Sequence, residues 1–171
     1  MALRSSAARL AVALCVGIGV AHASADRIGR TTGFAIPRFV SVKAKPANVR
    51  VGPGTGYPLK WTFVRRFVPV EVTAEFGRWR RIRDWDGSEG WILGALLSGR
   101  RTALVAPWVK GKTIPLRRRP VPAARILAQL QPGVFVSPKG CDGAWCDVAV
   151  AGRDGYVRQS QLWGVYADEH L

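Results

Sequence analysis

The sequence predicts an all-β protein, two small tandem barrels behind a cleavable leader, and three observations predict it. From residue 39 onward, short alternating or β-branched runs are separated by glycine, proline and asparagine turns. Between residues 39 and 99 no stretch keeps a helical period. The second half of the chain then repeats the order and spacing of the first.

The leader comes first. Arg4 and Arg9 precede an apolar run over residues 10–20, and Ala23-Ser24-Ala25 places small residues where a signal peptidase cuts, before Asp26. The run is well short of the roughly 20 residues that span a bilayer. Leu14 is bulky where a lipoprotein signal needs a small residue, which argues against a lipid anchor on Cys15. The whole chain carries +15; removing residues 1–25 takes away two arginines and no acid, leaving +13. Export predicts a periplasmic or secreted protein in an oxidising compartment. Cys141 and Cys146, with four residues between them, then read as a structural disulfide. Closing so short a loop contributes about 2 kcal/mol in the chain-entropy account. Neither a redox C-x-x-C spacing nor neighbouring metal ligands accompany the pair, so no metal or cofactor is expected.

Residues 26–38 are polar, glycine-containing and without apolar period, as in a flexible lead-in. Phe39-Val40-Ser41-Val42 alternates, and Asn48-Val49-Arg50 leads into the loop Gly52-Pro53-Gly54-Thr55-Gly56, too rich in glycine and proline for a strand interior. Candidate strands follow over residues 59–67, 68–76, 79–85 and 90–93, with Asp86-Gly87 as a tight turn. Val70-Glu71-Val72 recurs as Val134-Phe135-Val136, Trp79 to Ile82 as Trp145 to Val148, Gly90-Trp91-Ile92 as Gly155-Tyr156-Val157, and Leu96-Leu97 as Gln161-Leu162, each offset by close to 65 residues. The units are predicted as residues 39–99 and 102–166. A lone domain of about 60 residues buries only about 60% of its unfolded surface. The two copies are therefore expected to pack together. Leu104-Val105-Ala106-Pro107-Trp108 is too apolar for a solvated linker and should form a strand or line the interface.

At these residues the chain resembles the bacterial SH3 (SH3b) superfamily. The resemblance is carried by Asn48-Val49-Arg50 with the following G-P-G-T-x-Y-P loop, Trp79 to Ile82, Gly90-Trp91-Ile92 and Leu96-Leu97, and it covers residues 39–99 closely and 112–165 more loosely. The tandem arrangement is similar to exported alphaproteobacterial SH3-like proteins whose second copy carries a C-D-G-x-W-C hairpin, here Cys141 to Cys146. The resemblance implies two SH3-like barrels and a non-catalytic binding role at the cell wall. The second copy departs from the pattern, with Ile114-Pro115-Leu116-Arg117 where the first has its glycine-rich loop.

The chemistry of the residues points the same way. An enzyme needs groups that attack, protonate or coordinate within one pocket. After processing, the one histidine is His170, beside the C-terminus, where residues are usually mobile. The acids Asp84, Asp86, Glu89, Asp142 and Asp154 sit at strand ends or turns, as solvated carboxylates do. Binding has better support, from seven tryptophans and three tyrosines. Trp79, Trp91, Trp145 and Tyr156 occupy equivalent strand positions and are expected in the core. Tyr57, Trp61 and Trp85 lie in or beside loops and could form an aromatic ledge for a sugar ring or peptide side chain, with Arg50 and Arg83 beside them. The alternating arginines of residues 78–83, with Arg117-Arg118-Arg119, give a basic surface whose attraction for polyanions is salt-sensitive. Export argues against nucleic acid as the natural partner. Peptidoglycan or an associated peptide is the expected ligand, an acidic or extended envelope protein the alternative, and membrane-surface contact through the basic patches a further contact. Oligomeric state is left open by the sequence.

Overall fold

The computed structural model describes residues 27–171; the expected signal peptide, residues 1–25, lies outside the described residues. The segment anticipated as a flexible lead-in is instead a small hairpin, β1 (Arg27–Ile28) paired with β2 (Ala35–Ile36). Besides its own backbone bonds, one carboxylate ties it to the first barrel. Glu75 accepts the N–H of Thr31 at 3.0 Å and of Thr32 at 3.1 Å, the Thr32 hydroxyl at 2.6 Å and Nη2 of Arg38 at 2.9 Å. Gly29 makes room for it, since a Cβ there would lie 2.6 Å from the carboxylate.

The first barrel follows as β3 (Arg38–Val42), β4 (Ala47–Arg50), β5 (Leu59–Phe63), β6 (Pro69–Phe76), β7 (Trp79–Arg83), β8 (Glu89–Leu93) and β9 (Leu97–Ser98). The second comprises β10 (Ala103–Val105), β11 (Ile114–Arg117), β12 (Ile126–Leu130), β13 (Phe135–Cys141), β14 (Trp145–Val150), β15 (Arg153–Arg158) and β16 (Leu162–Trp163). The two antiparallel sheets run β5-β4-β8-β7-β6-β3-β9 and β12-β11-β15-β14-β13-β10-β16, the same order shifted by seven strands. A single 3₁₀ turn precedes the last strand in each, Gly94–Leu96 and Gln159–Gln161. The repeat read from the sequence is thus a repeat of topology. The apolar connector became β10, the counterpart of β3.

Period-two alternation decides which residues enter each core. Val49, Val70, Val72, Ile82 and Ile92 fill the first, and Leu116, Val136, Cys146, Val148 and Val157 the second. The strand anticipated over residues 59–67 stops at Phe63, because the chain turns before Phe67, whose φ of 65° no strand interior adopts. Gly90 and Gly155 share a steric role. A Cβ on Gly90 would lie 2.5 Å from Val49 Cγ1, and one on Gly155 2.8 Å from the Arg117 carbonyl oxygen. Only glycine lets the neighbouring strand approach so closely. The Cys141–Cys146 disulfide links paired positions at the tip of the β13–β14 hairpin. His170, expected to be mobile, forms an isolated bridge with Asp142 at that same tip.

Aromatic packing joins the barrels. Phe39 is buried with its ring edge-on to Trp163, centroids 5.0 Å apart, and tilted against Tyr166 at 4.8 Å. Trp163 Nε1 donates to the Pro69 carbonyl at 3.1 Å, and the Thr102 hydroxyl to the Phe67 carbonyl at 2.8 Å. Glu71, only 2% exposed, accepts the Tyr166 hydroxyl at 3.0 Å and Nε of Arg83 at 2.8 Å.

The hairpin clasp at Glu75 makes stability depend on acidity. Burial pushes this carboxyl up, but the Thr32 hydroxyl, Arg38 and the two backbone N–H groups outweigh it and hold it at about 2, below the ordinary 4.5. Because the folded value lies below the unfolded one, the stabilisation is complete above about pH 4.5 and is lost as pH falls towards 2. Glu75→Gln is expected to flatten that part of the stability–pH curve and to release amide-exchange protection at Thr31 and Thr32. An unchanged acid limb in denaturant melts would contradict the assignment.

Candidate functional site

Paired residues of an antiparallel sheet project to the same face. On β7 the inward positions are Arg80 and Ile82, so Trp79, Arg81 and Arg83 point out. The arginine run therefore does not share one face. Arg80 is buried, and its Nη1 donates to the carbonyls of Gly77 at 2.8 Å and Trp79 at 2.7 Å, with Nε 3.4 Å from Glu75. On β8 the core takes Ile92, with Gly90 also buried, leaving Glu89, Trp91 and Leu93 outward.

The register then lays out a row. Arg50 of β4 pairs with Trp91 of β8, and Trp91 pairs with Arg81 of β7. Leu59 extends the row beyond Arg50 and Ala74 beyond Arg81. Strands lie about 4.8 Å apart, so two guanidinium-bearing positions stand about 10 Å apart astride an indole. Glu89 trims the end of this patch, pairing with Arg81 through its carboxylate and accepting Lys60 Nζ on its carbonyl at 2.6 Å.

Of the residues the sequence singled out, two join this face. Arg50 donates through Nη1 to the Tyr57 carbonyl at 2.6 Å, which ties the glycine-rich loop to the row. The Tyr57 ring lies across Gly52, where a Cβ would come within 2.4 Å of it; the loop's glycine is what lets the ring fold down. Tyr57 remains 48% exposed. Trp61 goes elsewhere. It pairs with Val49, and Val49 with Ile92, which puts it on the inner face, edge-on to Phe63 at 6.0 Å and packed against the first core. Arg83 is committed to Glu71 at the joint between the barrels. Trp85 is exposed in the turn between β7 and β8, its N–H on the Asp84 carboxylate at 2.7 Å. Asp84 is less solvated than a turn acid was expected to be, and burial raises its carboxyl above the ordinary value despite that bond.

The aromatics expected in the core divide as well. Trp145 alone is fully buried, with Arg158 stacked 4.2 Å from its ring centroid; Trp79, Trp91 and Tyr156 are half-buried on outer faces. Equal alternation in both copies made them look like core, but the alternation runs from the other residue of each pair. Trp91, expected in the core for that reason, stands instead at the centre of the outward row, and its flanking glycine and isoleucine carry that signal. The second barrel repeats the row as Arg117–Tyr156–Asp147. Around it, Arg118, Leu127, Asp147, Asp154 and Tyr156 line a recess of about 370 Å³. The equivalent faces thus differ in charge, with Asp147 standing where the first barrel has Arg81.

Among the described residues no group of three or more His, Cys, Asp or Glu is placed to hold a metal ion, and no helix is long and apolar enough to cross a membrane.

The pattern of the family described as bacterial SH3 domain matches residues 43–99 and again residues 110–164. Among solved structures, NlpC2 from Trichomonas vaginalis is similar at a TM-score of 0.32 and 11% identity, over 74% of this chain and 48% of that one. NlpC1 from the same organism gives 0.32 and 10% over 79% and 48%, and an NlpC/P60 family protein from Bacillus cereus ATCC 10987 gives 0.32 and 12% over 73% and 55%. The chain spans about half the length of each of these. No curated protein matches it.

The two tryptophans of the first barrel should separate by their energetics. Trp61→Ala opens the edge of the core and is expected to cost about 2–3 kcal/mol of folding stability. Trp91→Ala, on the outer face, is expected to cost about 1 kcal/mol or less. Urea melts of both variants measure this; equal losses would contradict the facing assigned here.

Proposed function

We propose, from the premise that this chain belongs to the bacterial SH3 domain family, that it is an exported, non-catalytic binding module of the cell envelope that recognises peptidoglycan or a peptide attached to it. Members of the family are binding modules. The observation that carries the finer reading is the outward row Arg50–Trp91–Arg81 with the Tyr57 loop beside it.

The chemistry of that row suits a glycopeptide. An indole face takes a sugar ring or an apolar side chain, as aromatic anchors commonly do. A guanidinium fork recognises a carboxylate with two parallel hydrogen bonds, which a lysine cannot do. Peptidoglycan stems present carboxylates close to sugar rings, so one ligand can occupy both. The remaining basic surface, +13 after the expected cleavage, supports the same ligand class by long-range attraction. The disulfide hairpin supports an oxidising, periplasmic or secreted location. In this reading Arg50 and Tyr57 keep their place in the site, Trp91 and Arg81 join them, Trp85 lies in the turn that follows β7, Trp61 supports the site from behind, and Arg83 is left out of it at the joint with Glu71.

Sedimentation with purified sacculi tests the proposal. The mature protein is expected to co-sediment at low ionic strength and to be released by salt. Trp91→Ala and Arg50→Gln should each weaken binding by about tenfold, with no loss of fold by circular dichroism. Failure of the unaltered protein to bind sacculi at low ionic strength would sink the idea.

A further inference from the structure

The joint between the barrels carries a second feature, an open cleft with exposed arginines, that the outer row does not use. A cleft of about 240 Å³ is lined by Arg65, Arg66, Phe67 and Arg100 on one side and by Phe135 and Ser137 on the other. Three cations and no acid face it. Among the described residues, none of the three arginines forms an ion pair. Two of them rest on aromatic rings: the Arg65 guanidinium carbon lies 4.5 Å from the Phe135 ring centroid, and that of Arg100 4.5 Å from the Phe67 centroid. A guanidinium held over a ring by cation–π attraction spends none of its N–H groups on a carboxylate, and so can donate them to an incoming anion.

The walls are fixed by backbone as well as by stacking. Phe67 has a φ of 65°, a conformation that costs a non-glycine residue about 1–3 kcal/mol and persists only where the surroundings over-determine it. Here its N–H donates to the Val42 carbonyl at 2.6 Å and its carbonyl accepts the Thr102 hydroxyl at 2.8 Å, so its neighbours grip it from both sides. Phe135 comes from the other barrel and also packs against the first core. The cleft therefore exists only because the barrels are docked.

We propose that this cleft binds a phosphate group, either inorganic phosphate or the phosphomonoester of a lipid headgroup. Size and charge select it. About 240 Å³ is below the roughly 300–1,000 Å³ of pockets that enclose drug-sized ligands. A compact anion is enough to fill it. A carboxylate offers one charge and two oxygens, enough for one guanidinium fork. A phosphomonoester carries about −1.5 to −2 and three acceptor oxygens, which three arginines can share. The proposal is independent of the sacculus reading, since no residue is common to the two sites.

The test titrates the mature protein with inorganic phosphate at low ionic strength, following the arginine Nε–H resonances by NMR. Phosphate is expected to move those of Arg65 and Arg100. The variant R65Q/R100Q should weaken the apparent affinity at least about tenfold, and R65K/R100K, which keeps the charge but loses the forks, by a smaller factor. R118Q/R119Q removes the same charge elsewhere and should leave binding intact. Vesicles of neutral lipid with and without phosphatidic acid separate the sources: binding to the acidic vesicles as well as to phosphate assigns a headgroup, and binding to phosphate alone assigns the free ion. Unmoved resonances, or equal weakening by R118Q/R119Q and R65Q/R100Q, would overturn the site.

Discussion

Glu71 is a carboxylate taken out of water at the point where the two barrels meet, and the arrangement of everything else depends on its being satisfied there. An unpaired buried charge would cost several kcal/mol. Arg83 answers it from its own sheet and the Tyr166 hydroxyl answers it from the other barrel. The phenol is locked as a donor in consequence: burial, and then the Glu71 charge beside it, push its ionisation far above the ordinary range. Around this bond, Phe39, Trp163 and Tyr166 exclude water. Two units each too small to be comfortably stable alone thereby share one dry seam.

That seam sets the geometry of the surfaces. It ties Arg83 to Glu71, and it brings Phe135 over Arg65 to complete the basic cleft. The corresponding strand position is used in both copies, Glu71 on β6 and Phe135 on β13, so each barrel turns the same part of its sheet toward the other. The copies share topology down to the glycine that admits the neighbouring strand, yet their outer rows carry opposite chemistry where Arg81 is replaced by Asp147. Most inner positions stay apolar in both copies, although buried Arg80 corresponds to Cys146, and the outward row has changed charge.

Particular residues show how far the linear sequence reached. Its alternation and turn residues determined two all-β repeats in register, and the spacing of Cys141 and Cys146 determined their pairing across a hairpin tip. These are local properties, set by side-chain period and by residues that tolerate only certain backbone angles. Arg50 and Tyr57 were legible as neighbours because a glycine-rich loop of six intervening positions must fold back on its own strand.

The tertiary structure decided what depends on partners far along the chain. Whether Trp61 or Trp91 faces the solvent turned on which strand phase met the core, because one residue of slip exchanges the two faces of a strand. Whether Arg83 was free turned on Glu71 needing a counter-charge where a second barrel excluded water from it. Glu75 drew a polar, period-free segment into an ordered hairpin that its own composition gave no reason to expect. Local sequence encodes the period of a strand. Only the assembled fold encodes which side of it is left facing out.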